Sequence, residues 1–244
     1  MLLPQGRALA QELWYRLLVT PVAVVRLDLS RVPLDTSIRT DGLQQPVASV
    51  EEAAVRAGFR PSLAPDGVLA LAPALSVTGP IDITQRVQAR ALAASLAQQG
   101  VTDLDVPDAW EGVTLRGRIG PLVIAEYGED VQIVQAPPVQ LDVPTGFPLA
   151  RFAEAVFRAG GLSWWEARRF GEEFAARPAW LLDIANDETA AIETVELPGG
   201  EALLVEEADE GQTRATIIIS RPSRIYTVSS PARAVSLQVA AALP

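Results

Sequence analysis

The stretch TDLDVPDAWE, residues 102–111, sets Asp103, Asp105, Asp108 and Glu111 within ten positions. Carboxylate oxygens gathered in this way are what calcium accepts. The spacing does not build an EF-hand loop, which needs a glycine sixth and a bidentate glutamate twelfth, and Pro107 stands fifth from Asp103. The acids therefore read as a solvated run leading into a strand, with no metal site assigned. A second acidic run, EEADEG at 206–211, reads as an exposed hairpin turn.

All 20 basic residues are arginine; lysine, cysteine and histidine are absent. This removes thiolate and imidazole nucleophiles, Schiff-base and phosphate-loop lysines, and the usual zinc and haem ligands. Carboxylate, hydroxyl, tyrosine and guanidinium remain. A pair of carboxylates about 5 to 10 Å apart would suffice for glycoside hydrolysis, but 30 acids offer no means of choosing a pair. Tyr127 and Tyr226 fit hydrogen-bonded core positions better than ligand contacts. No glycine-rich phosphate loop, nucleophile elbow or dinucleotide fingerprint occurs. No catalytic residue and no cofactor is assigned, and the expectation is a protein that is not an enzyme. The net charge of −10 opposes nucleic acid as a partner, because counterion release needs a concentrated basic face.

The segment FAEAVFRAGGLSWWEARRFGEEF, residues 152–174, raises the nucleic-acid question again by its resemblance to a helix-turn-helix. Leu149, Phe152, Val156 and Ala159 form one helical stripe, Gly160-Gly161 supplies a left-handed stop, and Ser163 with Glu166 has the spacing of a capping box. On the second helix Trp164, Ala167, Gly171 and Phe174 share a core face with Phe170 beside it. Trp165 falls on the other side with Arg168, Arg169 and Glu172. A DNA reader needs unpaired basic or amide side chains where the second helix starts, and here stand Trp, Trp and Glu. Residues 148–177 hold five Arg against four Glu. The expectation is a structural hairpin, with Trp165, Arg168 and Arg169 as the contact residues of any protein or ligand surface.

The elements around it are mixed. Periodicity predicts helices over 5–19, from Ser49 to Gly58, and over Thr84–Gln99, with a strand in VAVVRLDLS and a connector over 31–47. GVLALAPALSVTGP supplies a strand or two bent at Pro73. GVTLRGRIG, PLVIAEY and VQIVQ alternate as one three-strand meander turning at Gly128-Glu129-Asp130; EALLVEE, TRATIIIS and RIYTVSS form a second, turning at ADEG. PARAVSLQVAAAL closes the chain as an apolar helix. The fold class is α+β: two antiparallel β meanders separated by a helical hairpin, with packed N- and C-terminal helices. A division falls between 1–45, holding the first helix, strand and connector, and an α+β domain over 46–244; a single continuous domain is the alternative. LWYRLLVTPVAVV, residues 13–25, is too short to span a membrane and carries Arg16 and Pro21, and it lacks the form of a signal peptide.

SVEEAAVRAGFRPSLAP at 49–65 resembles the helix-then-proline opening of an uncharacterised extracytoplasmic domain of bacterial membrane-bound, anti-sigma-factor-like proteins. VPDAWEGVTLRGRIGPLVIAEYGEDVQIVQAPP, followed by LLVEE, TIIISRPSRIYTVSS, is similar to that domain's later strands, over roughly residues 46–230. The resemblance implies an envelope-side domain on the extracytoplasmic face of a bacterial membrane, anchored by a helix absent from this chain. It also implies a protein partner or envelope ligand. The family's sigma-binding portion and zinc ligands have no counterpart here, and its pattern carries no catalytic residues. The expected function is thus a non-enzymatic sensor or interaction domain; a carboxylate-based glycan hydrolase and a cytosolic scaffold subunit are the alternatives.

Overall fold

The computed structural model describes residues 24–25, 27–176, 182–183, 191–209 and 212–244. Among these the chain is α+β, with five helices and two antiparallel sheets. In chain order come β1 (Val24–Val25), β2 (Leu34–Thr40), β3 (Gln45–Val47), α1 (Val50–Ala57), β4 (Ala74–Val77), β5 (Ile81–Val87) and α2 (Ala89–Gln98). Then follow β6 (Thr114–Ile119), β7 (Val123–Tyr127), β8 (Val131–Ala136), β9 (Gln140–Asp142), α3 (Leu149–Ala159) and α4 (Trp164–Ala176). The chain closes with β10 (Leu182–Asp183), β11 (Ala191–Leu197), β12 (Gly200–Asp209), β13 (Gln212–Arg221), β14 (Arg224–Ser230) and α5 (Arg233–Ala241). The larger sheet runs β11-β12-β13-β14-β8-β7-β4-β3 and the smaller β2-β5-β6-β9, while β1 and β10 pair in parallel.

The two orders are linked. Chain-adjacent pairs β3 and β2, β4 and β5, β7 and β6, β8 and β9 occupy matching places in the two sheets, so four strands continue from one sheet into the other. Sheets joined by strands that bend across a common edge are the corner-type packing of β-sandwiches. The corner residues suit the job. Gly79-Pro80, Gly120-Pro121 and Pro137-Pro138 stand at three of the four crossings, where a strand must leave its ladder and proline removes a donor that would have nothing to pair with. The crossings are stitched together: the Asp41 amide donates to the Pro80 carbonyl at 3.0 Å and the Thr78 amide to the Leu122 carbonyl at 3.0 Å.

Period-two alternation then fills the space between the sheets. Ile81, Ile83 and Ile119 from the smaller sheet meet Ile124, Val134, Leu203, Ile218 and Ile225 from the larger. The larger sheet's opposite face is covered by α5 through Val239 and Ala240, by Leu243 just after it, and by the segment around Leu63, Val68 and Leu69. Ala53 and Ala57 of α1 pack beside these on Val77 and Val123. Gln135, fully buried, anchors that segment: its carbonyl accepts from the Ser62 amide at 2.7 Å and its amide donates to the Ser62 carbonyl at 2.6 Å. A third cluster joins α2 and α3 to the far end of the smaller sheet through Val87, Leu92, Leu96, Leu115, Trp110 and Phe152.

Several sequence expectations are corrected. β6 does not form a meander with β7 and β8; it pairs with β5 and β9 across the corner, and only β7 and β8 make the hairpin, turning at Gly128 with φ 65°. The two strand blocks also fuse in space, because β14 pairs with β8. The expected helix over Thr84–Gln99 begins at Ala89; Thr84–Val87 belongs to β5. Val87 and Ala91 satisfy a helical spacing, but IDITQRV alternates with period two and its β-branched residues take the strand. The 31–47 connector contains β2 and β3, which alternate between exposed and half-buried positions and so need few apolar residues. Residues Leu29–Arg31 form a 3-10 turn where a strand was expected. Ahead of Ala74, residues 67–73 lie in irregular structure. The expected helix over 5–19 and the tip of the ADEG turn at 210–211 lie outside the described residues.

The helix from Ser49 to Gly58 forms as expected. Ser49 Oγ accepts from the Glu52 amide at 3.1 Å, Glu52 reaches back to the Ala48 amide at 2.8 Å, and Gly58 ends the helix at φ 77°. Ser49→Ala is expected to cost about 1 kcal/mol through loss of this cap, read as a shift in urea midpoint.

Candidate functional site

The hairpin of α3 and α4 carries the residues singled out as a contact surface. Its geometry follows from its glycines. Gly161 takes φ +100°, its amide donates to the Arg158 carbonyl at 3.0 Å, and the Leu162 amide donates to the Phe157 carbonyl at 3.0 Å. These are the two bonds of a Schellman stop, completed by contact between Leu162 and Phe157. Gly160 has an ordinary backbone, but a Cβ there would lie 2.8 Å from Leu27 Cδ2. At Gly171 a Cβ would lie 2.6 Å from the Ala150 carbonyl oxygen, so glycine is what lets the two helices approach. Phe157 and Phe170 meet edge-on at 6.5 Å beside Ala153 and Ala167. The segment is a packed hairpin.

The structure brings Trp165, Arg168 and Arg169 together on the outer side of α4. Trp165 is 51 % exposed, and the Arg169 guanidinium lies 5.5 Å from its ring centroid and 4.6 Å from that of Phe170. Arg168 pairs with Glu172 at 3.2 Å and Arg169 with Glu173 at 3.9 Å, each one turn along. The charges around the indole thus cancel locally.

Trp164 departs from its expected place. It is 59 % exposed and does not share the buried face, which begins one turn later at Ala167. It is the first residue of α4. Two adjacent indoles therefore stand in solvent at the start of α4. Helical spacing places Trp165 outside and Trp164 on the core face, and only the first of these holds.

Ser163 also differs in detail. Its hydroxyl donates to the Glu166 carboxylate, which also accepts from the Ser163 amide at 3.3 Å. The expected bond had the hydroxyl accepting from the third helical amide. An exposed hydroxyl–carboxylate contact is worth less than a cap, so Ser163→Ala is expected to shift stability by about 0.5 kcal/mol, half the effect at Ser49; equal urea-midpoint shifts would overturn this distinction.

Asp103 forms a two-pronged pair with Arg158 at 2.9 and 3.0 Å, and this hydrogen bonding holds its carboxyl below the ordinary range. Asp108 faces Arg90 at 3.6 Å, and Glu111 accepts from the Arg90 amide at 3.0 Å. Among the described residues no three metal-binding side chains come together. Tyr127 and Tyr226 are buried; the Tyr127 hydroxyl accepts from the Ala64 amide at 2.9 Å, and burial raises its pKa. Among the described residues no helix is long and apolar enough to cross a membrane. No family model, curated protein or solved structure matches the chain.

Proposed function

We propose that this chain is a non-enzymatic recognition domain, the extracytoplasmic sensor or interaction part of a bacterial membrane-anchored regulatory protein. It contacts a protein or envelope ligand through the outer side of α4. The observation that carries this reading is the adjacent pair of indoles, 59 % and 51 % exposed, on a hairpin whose other large apolar side chains pack inward. Exposed tryptophans beside arginine are the residues from which binding hot spots are made, because they bring large area at low entropic cost. The locally neutral charge rim suits a protein or an uncharged ligand better than a phosphate backbone. The placement at an envelope draws on the likeness of residues 49–65 and the later strands to the anti-sigma-factor-like domain.

A glycan hydrolase would need a carboxyl held protonated near neutrality. Asp28, through its hydrogen bond from Ser30, and Asp103, through Arg158, are shifted the other way. The test uses the tagged chain as bait against separated envelope and cytosolic fractions of its own cells. An envelope protein retained by the wild type and lost with both Trp164→Ala and Trp165→Ala, at unchanged melting temperature, supports the proposal. Retention that survives both substitutions, or capture from cytosol alone, overturns it.

A further inference from the structure

Withdrawing a charge from water is costly unless an opposite charge meets it. Among the described residues three arginines, Arg158, Arg221 and Arg224, are half-buried and every other arginine is exposed. Arg158 has its counter-charge in the two-pronged bond to Asp103. Arg221 and Arg224 have no carboxylate partner among the described residues. They are also a pair, set directly opposite each other by the β13–β14 register beside the turn at Pro222-Ser223. Like charges so placed repel. Arg86, Arg151 and Arg214 lack an acid too, but they are exposed and stand singly on β5, α3 and β13.

Period two puts both arginines on the sheet face that carries Ile217, Ile219, Tyr226 and Val228. The acids at the neighbouring strand ends, Glu196 and Glu201, alternate onto the other face, the side of Leu203. What holds the two guanidinium groups is uncharged. Arg224 lies with Cζ 4.2 Å from the Phe59 ring centroid, and its Nη1 donates to the Arg60 carbonyl at 2.7 Å. Arg221 donates to the Ser220 and Pro198 carbonyls over the longer distances of 3.3 and 3.4 Å. These contacts orient both groups and neutralise neither. On Arg224 they also leave one edge empty: Nε–H is buried without an acceptor, and Nη2 makes no bond among the described residues. Nε and Nη2 together form the side by which a guanidinium grips an oxyanion through two parallel bonds.

We propose that the Arg221–Arg224 pair is a binding site for a phosphate group. Two cations whose backbones stand about 5 Å apart match a dianion, and its three acceptor oxygens allow two on the empty edge of Arg224 with the third toward Arg221. The bound group gives the buried Nε–H its acceptor and replaces repulsion across the strands with attraction. A single carboxylate would compensate one arginine and leave the other. The ring of Phe59 and the Arg60 carbonyl fix the plane of Arg224 beforehand, so little rotamer freedom is lost on binding.

The experiment is titration of the whole chain with sodium phosphate and, separately, with glycerol 3-phosphate, at an ionic strength held at about 150 mM with sodium chloride. Arginine Nε–H signals in proton–nitrogen correlation spectra are the readout. Movement of the Arg224 signal that saturates by about 10 mM ligand, with Kd raised about tenfold by Arg221→Gln and by Arg224→Lys, supports the proposal. The lysine keeps the charge and removes the two-bond edge; in that variant the Arg221 signal is followed. Tighter binding of the ester would mark the ligand as a phosphorylated molecule, tighter binding of the ion as free phosphate. No movement of either signal up to about 10 mM, or an unchanged Kd in both folded variants, overturns the proposal. Arg116→Gln and Trp165→Ala are expected to leave this titration unchanged, so failure here and failure of the α4 surface are read separately.

Discussion

Trp110→Ala is expected to lower the free energy of unfolding by about 3–5 kcal/mol, the range for deleting a large buried aromatic. Trp110 sits in the acidic stretch that begins at Asp103, yet it is only 5 % exposed. The 3-10 turn Asp108–Trp110, closed by the Trp110 amide on the Pro107 carbonyl at 3.0 Å, turns the ring inward. There it stands 5.7 Å from Phe147 and 6.1 Å edge-on from Phe152, which are themselves 5.5 Å apart. This triad joins α2, α3 and the end of β6 into one cluster. Its removal leaves a cavity that three separate elements would have to move to close, so collapse is hindered and the cost stays near the top of the range. Urea denaturation measures it directly, with Trp165→Ala, expected within about 0.5 kcal/mol of wild type, as the exposed counterpart. A loss at Trp110 no larger than at Trp165 would mean that the α2–α3 cluster does not stabilise the fold.

Gly79→Ala carries the second large effect, about 3 kcal/mol or more. Glycine replaced by alanine at an accessible backbone conformation usually gains about 0.4–1 kcal/mol, and the backbone of Gly79 is not left-handed. The obstacle is elsewhere: an added Cβ would fall 1.3 Å from the Asp41 carbonyl oxygen. That oxygen belongs to main chain, and the adjoining amide is committed to Pro80, so neither strand can yield alone. Gly120 marks the neighbouring crossing, where a Cβ would lie 2.5 Å from Pro137 Cγ. The close approach of these crossings lets four strands pass from one sheet to the other. A thermal midpoint for Gly79→Ala at or above the wild-type value would show that the corner can relax, and that its glycine is not what brings the crossings together.

Local patterns were legible wherever the deciding interaction lies within a few residues. The α1 cap at Ser49 and Gly58, the stop at Gly161, the β7–β8 turn at Gly128 and the strands β12, β13 and β14 are short-range consequences of hydroxyl, glycine and β-branched chemistry. Thr84–Val87 was misread because Val87 fits two periods at once, and neighbours on β2 and β6 decide between them. The candidate site was half legible. Trp165 and its arginines share a side of α4 by helical spacing alone, whereas the exposure of Trp164 runs against that spacing, which sets it with Ala167 and Gly171.

From its sequence alone the chain is an α+β protein without lysine, cysteine or histidine, restricted to carboxylate, hydroxyl, tyrosine and guanidinium chemistry. Its hairpin over 152–174 lacks the footprint of a DNA reader. Those statements rest on composition and on contacts a few residues long. Tertiary structure decided that β6 leaves the meander, that β8 meets β14, and that Arg39, Asp82 and Arg118 form one row. Strand partnership is a contest among backbone edges that all offer the same donors and acceptors. It is settled by how the apolar faces of two sheets close on each other around the corner at Gly79 and Gly120, and no window along the chain contains that contest.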